Sequence, residues 1–409
     1  MLQQVDVGVQ NPSAYKEFVG RRVMDELREL AEALRGRRIL HLNSTGYGGG
    51  VSELLRSMIP LYVGLGLDVE WRVITGDERF FGVSKAFHNA LQGAEYHLSE
   101  QDREIFEMYA GRNASLLESE CDFVIAHDPQ TLAMHRFHGG EGARWVWRCH
   151  IDTSEPEAGL LSYLTPFMRD YDALVFTMEE FVPKALDHPR VTVMAPGIDP
   201  LSPKNIPVSK RMCRQIARWM GVEPKRPVLT QVSRFDPWKD PEGVVRVYRR
   251  VREEVPGLQL ALLGSLAQDD PEGWGIYQRI REQTHGDADI HVATNLTGVS
   301  NVEVNAFQRH SDVVLQKSIR EGFGLVISET LWKGTPLVAG AVGGIPMQME
   351  NGVGGFLAED DDEFVERVLY LLRNPVEAAR VGAAGRERVR ENFLITRLMR
   401  DELRLLTSL

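Results

Sequence analysis

Short apolar runs alternate with longer helical stretches along most of this chain, and that alternation restricts the fold more than any other feature. Such runs read as strands buried on both faces, and a helix between consecutive strands makes them parallel. In the first half, strands are expected at 38–43, 69–74, 123–126, 144–149, 173–177 and 191–194. The series stops at Ala195-Pro-Gly-Ile-Asp-Pro-Leu-Ser-Pro203, which has the composition of an interdomain linker. It then restarts, with strands expected at 228–232, 258–263, 290–293, 313–316 and 336–339. A single core rarely serves 409 residues. Two α/β lobes with parallel sheets are therefore expected, at 1–200 and 201–385, with residues 386–409 as a C-terminal helix. An extra helix over 13–36 precedes the first strand, with Phe18, Val23, Leu27, Leu30 and Leu34 at helical spacing. In such sheets ligands lie outside the carboxyl ends of the strands, so a cleft between the lobes is the expected site.

Composition narrows the function classes. A formal net charge of −11 argues against a broad nucleic-acid footprint. No run approaches the roughly 18 apolar residues that span a bilayer, so no membrane role is expected. Residues 1–18 lack the apolar centre of a secretory signal. Cys121, Cys149 and Cys213 are far apart and have no metal or redox spacing, which fits reduced thiols and a cytoplasmic location.

Three constellations carry chemistry. The first is Gly46-Tyr-Gly-Gly-Gly50-Val-Ser-Glu53, between a strand and a helix. There the backbone N–H groups of Gly48, Gly49 and Gly50 can approach a phosphate, although a plain tight turn reads equally well. It is not the dinucleotide fingerprint, because Val51 stands where the third glycine belongs, and no Lys-Ser/Thr follows to make a P-loop. The second is Ser233-Arg234-Phe-Asp-Pro-Trp-Lys239, after the first strand of the second lobe. Arg234 and Lys239 suit a diphosphate, the alternative being a solvated loop with incidental charges. The third is Glu321-Gly-Phe-Gly-Leu-Val-Ile-Ser-Glu329. Gly322 and Gly324 let the backbone approach a ligand. Leu325 opens a helix on which Glu329 is expected about two turns on. Glu321 and Glu329 can then grip two hydroxyl-bearing rings at different depths.

Together the E-x7-E element, the upstream R-x4-K and the Gly-rich loop resemble the retaining glycosyltransferases of family 4, which have the GT-B fold. His41-Leu-Asn-Ser-Thr, Ala126-His-Asp-Pro-Gln130, Trp145-Val-Trp-Arg-Cys-His-Ile-Asp152, Thr230 to Lys239, Asp269-Asp-Pro-Glu-Gly-Trp274 and Asn305-Ala-Phe-Gln308 are similar to its trehalose glycosyltransferring synthase subfamily. The likeness runs from about Gly36 to Leu371 and is poorest in the first 35 residues and in 155–170. It implies two Rossmann-like domains facing a cleft, with the C-terminal helix crossing back to the first. It implies transfer of glucose from a nucleoside diphosphate glucose (UDP, ADP or GDP) to free glucose, giving α,α-trehalose with retention. By the family pattern Arg234 and Lys239 would hold the diphosphate. Glu321 would touch the donor sugar, with Gly322, Phe323, Gly324 and Leu325 around it, and Glu329 would hold the ribose. His150 would sit near the reacting carbon, and His150 and Asp152 would form the acceptor side. Unlike a retaining glycosidase, the chain places no second carboxylate as a nucleophile, so front-face attack is favoured.

Other residues read more plainly. His127 and Asp128 can line a cleft or make a turn, and Asp360-Asp-Asp362 reads as a solvated acidic turn. Trp145, Trp147 and Trp332 read as core. No dedicated metal site and no tightly bound cofactor are expected, although Mg2+ can accompany the diphosphate. The extra N-terminal helix is a candidate dimer arm. Rival readings are a trehalose phosphorylase using glucose 1-phosphate, a glucan-elongating synthase, a dinucleotide-dependent oxidoreductase and a non-catalytic sugar-nucleotide binding protein.

Overall fold

The computed structural model describes residues 1–47, 49–117, 120–139, 142–266 and 271–409, with Pro271 described by its backbone alone. The chain divides into two compact units. One comprises Met1–Gly197 with Ile395–Leu409, and the other Ile198–Leu394.

The first unit is built on β1 (Gln3–Gln4), β2 (Arg38–Asn43), β3 (Asp68–Val73), β4 (Phe123–His127), β5 (Arg144–Arg148), β6 (Ala173–Phe176) and β7 (Val191–Val193), in the order β1-β3-β2-β4-β5-β6-β7. β1 runs antiparallel to β3 at one edge, and the other neighbours are parallel. The strands read as unbroken apolar runs because helices cover both faces. Phe87 from the helix Glu78–Leu91, Phe106 from Glu100–Ser115 and Phe167 from Ala158–Met168 share one core with Trp145 and Trp147. Both tryptophans are wholly buried.

The C-terminal helix Ile395–Thr407 completes this unit. It packs along the helix Lys16–Ala33, burying Leu398, Met399 and Leu403 against a face that includes Met24 and Leu27. Glu26 pairs there with Arg400 at 3.4 Å and with Arg404. Residue 386, where the sequence reading started this return, falls inside the helix Pro375–Asn392. That helix belongs to the second unit, because Gly382 and Gly385 let it close on neighbouring backbone. A Cβ there would lie 2.1 Å from the Gly334 carbonyl oxygen or 2.6 Å from the Gly354 Cα. The chain passes between units at Gly197/Ile198 and Leu394/Ile395.

The second unit contains β8 (Val228–Arg234), β9 (Gln259–Ser265), β10 (Ile290–Thr294), β11 (Val313–Gln316), β12 (Leu337–Gly340), β13 (Glu350–Asn351) and β14 (Gly354–Ala358), in the order β10-β9-β8-β11-β12-β14-β13. All of these neighbours are parallel. β1, β13 and β14 were not expected from the sequence: β1 and β13 are two residues each, and glycines at 352, 354 and 355 interrupt the apolar run around β14.

In the middle of each sheet the strand order switches direction about a parallel pair, β2 and β4 in one unit and β8 and β11 in the other. Connections leave such a pair of strands toward opposite faces and open a crevice beyond their carboxyl ends. The residues singled out by the sequence follow these strands or their neighbour β5. No helix among the described residues is long and apolar enough to cross a membrane.

Candidate active site

The second unit brings Arg234, Lys239 and Glu321 to its reversal point. β8 ends at Arg234, whose guanidinium donates to Asp236 at 2.8 Å while most of the side chain stays exposed. Asp236 also accepts from the Trp238 backbone N–H at 2.9 Å, which starts the tight turn Pro237–Lys239. The Gln231 amide donates to the Lys239 carbonyl at 2.8 Å and fixes where that turn ends. Lys239 Nζ then donates to Glu321 Oε2 at 2.6 Å. Glu321 arrives from the other strand of the pair, β11, and the Ser318 hydroxyl donates to the same oxygen at 3.2 Å. Two strands adjacent in the sheet thus deliver a cation and a carboxylate into contact.

The glycine loop beside them is held from behind. Gly344 N–H donates to the Gly322 carbonyl at 2.9 Å. The Gln348 amide donates to the Phe323 carbonyl and, at 3.2 Å, to that of Gly344. Its oxygen accepts from Ser328 N–H at 3.0 Å and from the Ser328 hydroxyl at 2.5 Å. Gly343 has a φ of 52°, and a Cβ there would lie 1.7 Å from the Glu321 carbonyl oxygen. Gly343→Ala is therefore expected to cost about 2 kcal/mol or more, the scale of backbone strain plus overpacking. Urea unfolding checks this, and an unchanged midpoint contradicts it.

Gly324, at φ 80°, begins the helix Leu325–Trp332 with no side-chain cap. Glu329 lies just over one turn into that helix and not the expected two, because it stands only four residues after Leu325 at 3.6 residues per turn. It is buried, with Oε1 3.7 Å from Lys204 Nζ. Glu329 Oε2 is buried with no hydrogen-bond partner among the described residues. Such an atom carries a desolvation cost on the order of 1–3 kcal/mol or more, which a hydroxyl donor from a ligand would relieve. Lys333, one turn on, donates to the Glu329 carbonyl and to Asn205 Oδ1, both at 2.8 Å. Burial outweighs the attraction of Glu329 and pushes its ammonium pKa down to about 7.

In the first unit, Gly49 and Gly50 open the helix Gly49–Gly64 and are exposed, and Gly48 lies outside the described residues. Beside them the exposed Tyr47 ring lies under the Arg56 guanidinium, 4.4 Å from its centroid. Arg56 also donates to the Gly46 carbonyl at 2.7 Å.

β5 ends at Arg148, so His150 and Asp152 are loop residues, beyond the strand whose alternation would have set them on one face. His150 is half-buried, and its backbone N–H donates to Asp128 Oδ1 at 2.8 Å. Asp128 takes a left-handed φ of 61° to reach it, and burial raises its carboxyl pKa to about 7. Asp152 turns one oxygen back to the exposed Ser154, accepting from its N–H at 3.0 Å and its hydroxyl at 2.6 Å.

Sequence reasoning did not foresee what stands behind His150. Its Nε2 is 2.8 Å from His127 Nδ1, and His127 Nε2 is 3.1 Å from His41 Nδ1. The rings are stacked, with centroids 5.1 and 5.4 Å apart. Beyond them Glu402 accepts from the Tyr62 hydroxyl at 2.7 Å and from Arg148 at 2.9 Å. The usable signal was that His41 and His127 sit on β2 and β4, the reversal pair. Glu402 gave none, standing 252 residues after His150. Burial pushes all three imidazoles below their usual range.

The acidic run 360–362 proves structural. Asp360 caps the helix Asp361–Arg373, Asp361 pairs with Lys317 at 2.8 Å and Arg246 at 2.9 Å, and Asp362 pairs with Arg250 at 2.6 Å. Trp332 is buried, like Trp145 and Trp147.

Comparison with known proteins adds the family. Residues 41–183 match the family described as trehalose synthase, N-terminal domain, and residues 215–388 match glycosyl transferases group 1. A trehalose synthase of Rubrobacter xylanophilus is 51% identical, covering 100% of this chain and 99% of its own. A trehalose synthase of Pyrococcus horikoshii is 44% identical, with coverage of 100% and 99%. Among solved structures, a UDP-forming α,α-trehalose-phosphate synthase of Burkholderia xenovorans, in complex with glucose-6-phosphate, superposes with a TM-score of 0.70 at 15% identity, covering 91% of this chain and 100% of that one. At that identity the likeness speaks for the GT-B fold. With two parallel-sheet units and relatives at these identities along its whole length, the chain belongs to the trehalose synthase family of glycosyltransferases.

Proposed function

We propose that this protein transfers glucose from a nucleoside diphosphate glucose to free glucose, forming α,α-trehalose with retention at the donor carbon. The observation that carries the reading is the joint arrival of Arg234, Lys239 and Glu321 at the β8/β11 reversal point. Arg234 and Lys239 hold the diphosphate, and Glu321 meets the donor-sugar hydroxyls beside the stapled loop of Gly322, Phe323, Gly324 and Leu325. The unpartnered Glu329 oxygen accepts from a ribose hydroxyl.

The sugar–phosphate bond breaks with its electron pair going to the diphosphate, where fixed cations offset the growing charge. The acceptor hydroxyl oxygen bonds to the donor carbon from the same face, and its proton passes to the leaving phosphate oxygen. His150 and Asp152 form the acceptor side. A glucose acceptor fits this side better than a phosphorylated one, because Arg148, the cation nearest His150 in sequence, is buried and spent on Glu402.

The test compares initial rates with free glucose and with glucose 6-phosphate, using UDP-, ADP- and GDP-glucose as donors. Trehalose and free nucleoside diphosphate are expected from free glucose. A clear preference for glucose 6-phosphate contradicts the acceptor assignment.

A further inference from the structure

The histidine row determines how His150 meets its ligand. A neutral imidazole has one N–H and one bare nitrogen, and each ring-to-ring contact needs one of each. The contacts join His41 Nδ1 to His127 Nε2, and His127 Nδ1 to His150 Nε2. Two arrangements satisfy both contacts: all three rings protonated on Nε2, or all three on Nδ1. They differ at the ends. In the first, His41 Nε2–H faces Glu402 Oε1, 3.7 Å away, and His150 presents a bare Nδ1. In the second, a lone pair faces that carboxylate and His150 presents an N–H.

The surroundings of Glu402 select between them. Its carboxylate is buried, paired with Arg148 and receiving the Tyr62 hydroxyl. A lone pair turned toward a buried carboxylate is repelled, and an N–H is attracted, more strongly than in water. Burial outweighs the opposing pull of Glu402 and, with Arg148 adding to it, holds the His41 pKa below its usual range, so double protonation does not relieve the choice. At the other end, His150 Nδ1 has no hydrogen-bond partner among the described residues.

We propose that Glu402 acts through His41 and His127 to hold His150 protonated on Nε2, so that His150 offers Nδ1 as a hydrogen-bond acceptor to a hydroxyl of the acceptor sugar. This rests on the reading of His150 as an acceptor-side residue. Asp128 fixes the backbone of His150, and the row fixes what its ring presents. Glu402, His41 and His127 are positioning residues, and the C-terminal helix thereby contributes to a site on the first unit.

The test uses the full chain with 15N-labelled histidine, whose ring-nitrogen NMR shifts report the tautomer directly. Wild-type His150 is expected as the Nε2–H form. Glu402→Gln removes the charge, and a Nδ1–H population of His150 is expected to appear. Glu402→Gln also strands the Arg148 charge, so His41→Phe serves as the second variant, keeping a ring while removing both nitrogens. In both variants KM for glucose is expected to rise about tenfold, the worth of one hydrogen bond, with affinity for UDP within twofold of wild type. Wild-type His150 as the Nδ1–H form overturns the proposal, as does an unchanged Nε2–H form in both variants. If the tautomers shift as stated but glucose KM stays fixed, in His150→Ala as well, the row stands and the acceptor-side reading of His150 falls.

Discussion

Arg234→Ala and Lys239→Ala are each expected to lower kcat by about a hundredfold or more, the scale seen when a charge-stabilising donor is removed from a transition state. The free protein already neutralises both cations, Arg234 on Asp236 and Lys239 on Glu321. A diphosphate must therefore compete with carboxylates for them, and it competes best when bond breaking has raised its charge. The two variants are not equivalent. Asp236 keeps the Trp238 N–H when Arg234 is lost, so Arg234→Ala leaves the turn intact and falls mainly in kcat. Lys239→Ala leaves Glu321 with the Ser318 hydroxyl alone of its two donors, so KM for the donor rises as well. Steady-state kinetics with the folded state checked reads both, and activity within twofold of wild type in both variants places the diphosphate elsewhere.

Glu329→Ala is expected to weaken nucleoside diphosphate and nucleotide-sugar alike, by about 1–3 kcal/mol, the value of a lost charged hydrogen bond. Both ligands carry the ribose that its unpartnered oxygen would receive. Glu321→Ala is expected to separate the two ligands, reducing affinity for the nucleotide-sugar and sparing the free nucleoside diphosphate. Titration calorimetry of both variants with both ligands checks the pattern, and the reverse pattern overturns the assignment of the two glutamates.

The strands were legible because parallel strands buried on both faces leave compact apolar runs. Residues 38–43 and 313–316 were read with the boundaries they have, and most others to within one or two residues. β1 and β13 escaped because they are two residues each, and β14 because glycines interrupt its apolar run. The E-x7-E and R-x4-K spacings were legible as local motifs, and the fold supplied what they lacked, the adjacency of β8 and β11 that puts Lys239 on Glu321. Contacts between residues far apart in sequence were out of reach. Nothing near Glu402 marks it as a partner of Tyr62 and Arg148, and nothing near Gln348 marks it as the staple of the 321–324 loop. Asp152 was foreseen on the acceptor side, and one of its oxygens closes a turn on Ser154.

The central claim is that the second unit holds a glucose activated by a nucleotide. The measurement that tests it most directly is product analysis with free glucose as acceptor, comparing UDP-, ADP- and GDP-glucose with glucose 1-phosphate in the absence of nucleotide. The account predicts α,α-trehalose and a nucleoside diphosphate from at least one nucleotide donor, and no comparable turnover of glucose 1-phosphate. Equal or faster trehalose formation from glucose 1-phosphate, with release of inorganic phosphate, contradicts it and makes the protein a phosphorylase.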